Sequence, residues 1–376
     1  MKNAPDAVAL TQTLVGFDTV NPPGNERACA EALGKILENA GFACAYHEFA
    51  PGRASLIARI GRGGRRAPLC FTGHIDTVPL GAQPWSRDPF AGEIADGRMY
   101  GRGTSDMKSG VAAFVSAVSV TAGDLARGSG AVLVITAGEE TGCEGAAHLV
   151  QSGRVLGEAG AIVVAEPTAN RAYAGHKGAL WLKARTRGVT AHGSMPERGD
   201  NAIHKAARAV GQLADFDFNI ARHPVMGAPT LNVGTIKGGL NVNSVPDLAE
   251  IGIDIRTIPG QRHDQVAGAV ASYLGADVEV ESFIDVEGVW TDPEHPWMRQ
   301  VYDAVERATG TKADVRGATY FTDAAFLTPA LGRPPTVILG PGEPELAHQT
   351  DEYCVVERIR EAEAIFTYLA LEWNRG

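Results

Sequence analysis

The chain has 376 residues, 44% hydrophobic and 21% charged, which suits roughly two to three globular domains and excludes a disordered chain. Lys+Arg 34 against Asp+Glu 44 gives a formal net charge of −10, and such a surface argues against nucleic-acid or anionic-membrane partners. There is no apolar signal core and no apolar run near the ~20 residues that cross a bilayer; five scattered cysteines (Cys29, Cys44, Cys70, Cys143, Cys354), never in a C-x-x-C pair, point to a reducing, cytoplasmic setting.

In chain order, residues 7–39 carry apolar residues at helical spacing, broken at Asn21-Pro22-Pro23-Gly24-Asn25. Short apolar segments at 55–60, 68–71, 132–136 and 161–165 read as buried strands, with helical stretches at 110–121 and 145–153 between them. Near-continuous apolar strands alternating with helices imply an α/β, mostly parallel sheet covered on both faces. The texture changes after His176, which reads as a structural residue at a crossover. Residues 179–187, 230–237 and 247–256 alternate, and 201–216 is helical through Ile203, Ala207, Val210 and Leu213. Ile251, Ile253 and Ile255 face one way and Glu250, Asp254 and Arg256 the other, as in an antiparallel sheet with one wet face. A helix (296–309), an apolar strand (335–339) and a last helix (355–373) follow. The expected organisation is a sheet domain, 1–178 and 285–376, interrupted by an inserted α+β domain at 179–284.

Four apolar strands run into residues that bind metal well. They lead to Thr72-Gly73-His74-Ile75-Asp76, to Ala137-Gly138-Glu139-Glu140, to Glu166-Pro167, and to Gly340-Pro341-Gly342 with His348 shortly after. Ligands of open α/β sheets bind beyond the carboxyl ends of the strands, so these side chains can share one crevice. Histidines and carboxylates without thiolates suit zinc, cobalt or manganese. Asp106 lies in a glycine-rich turn entering a helix, where the helix dipole favours a carboxylate. If it bridged two dications, charges of about +4 and −3 would leave about +1 for a hydroxide to neutralise.

Gly73-His74-Ile75-Asp76-Thr77-Val78-Pro79, Trp85, Asp88-Pro89-Phe90, Asp106-Met107-Lys108, Glu139-Glu140-Thr141-Gly142, Glu166-Pro167-Thr168, Ala191-His192-Gly193-Ser194 and Ala347-His348-Gln349 together resemble the di-zinc amidohydrolases. That family includes acetylornithine deacetylase, succinyl-diaminopimelate desuccinylase, the aminoacylases and glutamate carboxypeptidase. The resemblance spans essentially the whole chain and implies a zinc-hydrolase catalytic domain with an inserted lid that also carries a homodimer contact. It implies two Zn2+ per subunit, with Co2+ tolerated. One is expected on His74, Asp106 and Glu166, the other on Asp106, Glu140 and His348. Asp76 is expected to hydrogen-bond His74. Glu139 is expected to act as general base on a zinc-bridging water that attacks the acyl carbon. The lid residue His192 is expected to stabilise the oxyanion, often reaching in from the partner subunit in this family. Arg256 and Asn243 match positions that hold the substrate carboxylate, and Thr322 lies in a further, more loosely matching carboxylate-contacting loop.

The implied activity is removal of an N-acyl group from a small N-acyl amino acid or short peptide. The stretch Ala347-His348-Gln349-Thr350-Asp351-Glu352-Tyr353 looks closest to acetylornithine deacetylase, with desuccinylase or exopeptidase action as the alternative. A member that binds metal and ligand without chemistry is a remote alternative, because Glu139 then has no purpose. A true aminopeptidase is disfavoured by Arg256, which suits a free substrate carboxylate.

Overall fold

The computed structural model describes residues 5–61, 63–64 and 66–375. It forms two compact units: Met1–Gly175 with Trp290–Arg316 and Thr322–Gly376, and His176–Val289 with Gly317–Phe321.

The first unit is built on a mixed sheet. Strands Ala131–Thr136, Leu69–His74, Ala161–Val164 and Thr336–Ile338 lie side by side in that order and pair in parallel. All their residues are buried, as expected for strands covered on both faces. Beyond Ala131–Thr136 the sheet turns antiparallel, adding Arg53–Ile60 and then the outer strand Ala43–Ala50. That outer strand went unread in the sequence because His47 and Glu48 break its apolar pattern, as suits a half-wet edge.

Helix Ser109–Leu125 is apolar on nearly every side and packs against the last helix, Val356–Arg375. Phe71 of the sheet stacks on Phe114 at 5.9 Å and meets Phe366 edge-on at 5.6 Å, tying sheet and both helices into one core. Truncating Phe114 to alanine there costs about 3–5 kcal/mol. Gly110, at the start of the same helix, admits the Ala165 carbonyl so closely that a Cβ would lie 2.2 Å from its oxygen. That contact seats the helix against the strand end from which Glu166 follows, so a Gly110→Ala change reaches the site through the backbone.

In the second unit four antiparallel strands run in the order Thr230–Gly238, Leu248–Thr257, Gly178–Arg187, Val278–Val286. Helices Ala202–Leu213 and His263–Leu274 cover one face, burying Leu180, Leu182, Ile251, Ile253 and Ile255 against Ala206, Leu213, Val266 and Val270. Asn201 starts the first helix by accepting the His204 amide at 3.1 Å. On the opposite face Arg185 pairs with Glu250 and Glu281, and Arg187 with Glu279. Val278–Val286, also unread in the sequence, shares this wet face through Glu279 and Glu281.

Candidate metal centre

The four parallel strands of the first unit end together, and each end delivers a charged side chain. Leu69–His74 closes on His74 and continues to Asp76; Ala131–Thr136 leads to Glu139 and Glu140; Ala161–Val164 leads to Glu166; Thr336–Ile338 leads to the loop bearing His348. Asp106 comes from the turn before helix Ser109–Leu125, where Gly103 takes φ 85 and Asp106 itself leaves helical geometry.

Their arrangement centres on Asp106. Its Oδ1 lies 3.2 Å from His74 Nε2, and its Oδ2 lies 3.5 Å from His348 Nε2. Glu140 Oε2 stands 3.0 Å from His348 Nε2, and Glu166 Oε1 stands 3.9 Å from His74 Nε2. One carboxylate thus turns its two oxygens to two separate His–carboxylate groups. Ligand atoms of His74, Asp106 and Glu140 lie within 4.8 Å of one another.

This donor set fits dications. His74 Nδ1 meets the Asp76 carbonyl oxygen at 3.0 Å, so that nitrogen carries the proton and Nε2 is the one turned to the carboxylates. Glu140 Oε1 is buried with no hydrogen-bond partner among the described residues, an acceptor awaiting a positive charge. Burial works against a charged His74, yet Asp106, Asp76 and Glu166 hold its pKa well above the ordinary histidine value. Asp106 and Glu140 likewise raise His348 to about 10. Burial pushes Glu166 well up, and the neighbouring Asp106 and Glu140 add to the shift. The pocket is carboxylate-rich and demands cations; protons fill that demand where no metal does.

Asp76 organises the backbone around this centre. Its carboxylate accepts the amides of Glu139 at 3.1 Å and Glu140 at 3.2 Å, and Asn21 Nδ2 at 2.9 Å. The nearest carboxylate oxygen to His74 Nδ1 stands 3.5 Å away, so the short contact to the imidazole is made by the Asp76 carbonyl rather than the side chain. Burial holds the Glu139 carboxyl well above its ordinary value, with Glu166, Asp323 and Glu140 adding to the effect and His74 opposing it. A buried carboxyl group with a raised pKa is suited to taking up a proton.

Of the remaining sequence candidates, His192, Asn243 and Arg256 belong to the second unit and Thr322 to the first. His192 and Asn243 come together in the second unit, where Gly193 N donates to Asn243 O at 2.7 Å and His192 bridges to Ser244. The Ser194 amide donates to His192 Nδ1 at 3.2 Å, so Nε2 holds the ring proton and stays exposed as a donor. Arg256 pairs with Asp254 at 3.0 Å and lies 5.9 Å from the Phe321 ring. Thr322 is fully buried, and its hydroxyl accepts the Ala324 amide at 3.1 Å; Asp323, between them, precedes the helix Ala324–Ala330. Three residues escaped the sequence reading. Asn21 sits in the double-proline break, Asp323 beside Thr322, and Glu352 four positions after His348. The last two lay within matching stretches that gave them no role.

Residues 70–372 match the peptidase family M20/M25/M40. A succinyl-diaminopimelate desuccinylase of Cereibacter sphaeroides is 33% identical over 377 residues, covering 96% of this chain and 97% of that protein. Among solved structures, a metallo-carboxypeptidase from Sulfolobus solfataricus superposes with a TM-score of 0.81 at 17% identity, covering 99% of this chain and 100% of the other. A dinuclear metal-binding peptidase of the M20 family from Bacillus subtilis gives 0.73 at 17% identity, covering 98% and 97%.

Proposed function

The chain belongs to peptidase family M20/M25/M40, a family of metal-dependent hydrolases of amide bonds, and from that premise we propose that it is a di-zinc N-acyl-amino-acid amidohydrolase. The observation that carries this reading is the division of the Asp106 carboxylate between two His–carboxylate groups. His74, Asp106 and Glu166 would hold one ion, and Asp106, Glu140 and His348 the other. Bound there, two dications supply the charge that polarises an acyl carbonyl and lowers the pKa of a water.

The chain's own side chains do the rest. Glu139 takes the proton of the attacking water and returns it to the leaving amine. Asp76 keeps Glu139 and Glu140 in register through their amides. The exposed Nε2–H of His192 donates to the oxyanion of the tetrahedral intermediate. Arg256 and Asn243 receive the substrate carboxylate, for which Arg256 must leave or share Asp254. Thr322 would add its hydroxyl proton to the same carboxylate, since the Ala324 amide uses only a lone pair of that oxygen.

The named relative makes an N-succinyl amino acid the first substrate to test, ahead of N-acetylornithine and of dipeptides. The proposal includes a homodimer formed through the second unit and a cytoplasmic location. For the dimer, strand Thr230–Gly238 is one of the two edge strands of its sheet, and Leu240 and Val242 beyond it are 98% and 104% exposed. For the location, all five cysteines are free, and no described helix is long and apolar enough to cross a membrane. The test is a panel of N-succinyl, N-acetyl and dipeptide substrates on chain stripped with chelator and reloaded with Zn2+ or Co2+. Metal-dependent release of the amine from at least one substrate is expected. Release that survives chelation, or binding without release across the panel, would refute the reading.

A further inference from the structure

The Asp106 turn has an anion of its own that belongs to no metal ligand. Glu352 is fully buried, and its Oε1 accepts the amides of Ser105 at 2.7 Å and Asp106 at 3.0 Å. Its Oε2 accepts the Gly103 amide at 3.1 Å and Arg102 Nη1 at 2.6 Å. The turn needs such a partner. Its backbone leaves helical geometry at Asp106 and Met107, so the amides at 103, 105 and 106 converge on a concavity that only an acceptor can satisfy.

Arg102 extends the link. Itself 1% exposed, it donates through Nη1 to Gln349 O at 3.2 Å and through Nη2 to Pro79 O at 3.0 Å. Gln349 follows His348, and Pro79 lies on the segment that leaves His74 and Asp76. Backbone pairing of Tyr353 with Tyr100 holds the two chain segments together just beyond. Three ligand-bearing segments, carrying His74, Asp106 and His348, therefore meet at one buried ion pair.

We infer that Arg102 and Glu352 are positioning residues of the metal centre, fixing the spacing of Asp106 and His348 so that one carboxylate can serve two ions. This rests on the metal-centre reading above and extends it to residues that touch neither metal nor substrate. Backbone amides, rather than side chains, transmit the constraint to Asp106.

The test uses the full-length, metal-free chain titrated with Zn2+ and Co2+ by calorimetry, with the visible absorption of the Co2+ form recorded alongside. Glu352→Gln keeps an oxygen for Ser105 and Asp106 but turns an NH2 toward Arg102 and Gly103. Arg102→Lys keeps the charge but cannot reach Pro79, Gln349 and Glu352 from one ammonium. Each variant is expected to fold, to bind metal about 10- to 100-fold more weakly, and to show an altered Co2+ spectrum. Wild-type affinity and spectrum in a folded variant would overturn the inference. If Glu352→Gln does not fold, Arg102→Lys decides alone. Failure of both to fold also overturns it, because the pair would then be a general stability element. Absence of metal binding by the unaltered chain would instead refute the metal-centre reading.

Discussion

The two units hold their functional side chains in opposite ways. In the first, His74, Asp76, Asp106, Glu139 and Glu166 are all at most 9% exposed, and the first three are bound to several partners each. His348 is the exception, 54% exposed at its side chain, on a loop tied down through Gln349 and Glu352. In the second unit, His192 and Asn243 sit on exposed, paired loops, and among the described residues the His192 ring hydrogen-bonds only to its neighbour Ser194. The difference separates two kinds of requirement. Like charges brought together out of water need partners from many directions, whereas a single donor to a transient oxyanion needs only a free N–H. Substitutions in the first unit should therefore disturb metal binding, stability or the chemical step, and those on the exposed loops substrate binding or the chemical step without loss of metal.

The largest expected effect is at Glu139. Glu139→Gln removes the base but keeps the shape and the backbone amide that Asp76 accepts, so kcat should fall about 10³- to 10⁴-fold with metal content unchanged. Retention of a tenth of the turnover would sink the assignment, and lost metal would make Glu139 a ligand instead. Next is His192→Ala, expected to lower kcat about 10²-fold with little change in KM. Because the ring is exposed and its hydrogen bonds among the described residues go to Ser194, its removal should shift stability by less than about 0.5 kcal/mol. A drop in metal affinity with His192→Ala would break the comparison between the units.

Much of the first unit was legible because its strands are unbroken apolar runs and its ligands follow the strand ends directly. His74, Glu140 and Glu166 stand within a few residues of such a run, and sheet topology alone predicts that they share a rim. The antiparallel core face was legible too, in the isoleucine alternation at 251, 253 and 255. What stayed hidden depends on partners distant in the chain. Asn21 reaches Asp76 across 55 residues, and Glu352 reaches the Asp106 amide across 246; no local pattern marks the first, and the motif around the second does not tell of that reach. Thr322 carries a local bond that a motif match does not reveal, for its hydroxyl accepts the amide two residues on. The carbonyl, not the carboxylate, of Asp76 facing His74 is likewise a backbone fact that side-chain lettering does not carry.

The last effect, nil at neutral pH and growing only as the pH falls, concerns a histidine that has the burial of His74 but none of its carboxylates. His176, where the second unit begins, is fully buried; its Nδ1 meets Lys177 O at 2.8 Å and its Nε2 has no partner among the described residues. Burial lowers its pKa to about 4, the contact with Lys177 opposing only in part, whereas the carboxylates around His74 overcome the same penalty. The sign follows from linkage. As pH falls below the unfolded value of about 6.5, the unfolded chain takes up this proton and the folded chain does not, so stability is lost until about pH 4. The full shift corresponds to roughly 3 kcal/mol. His176→Asn removes the titration and keeps a short amide donor for the Lys177 carbonyl. Denaturant midpoints measured from pH 7 to pH 4 should fall less steeply in the variant than in the unaltered chain, the gap widening toward pH 4. Parallel curves would mean that acid reaches this imidazole in the folded state, and that its burial differs from that of His74 by less than its surroundings suggest.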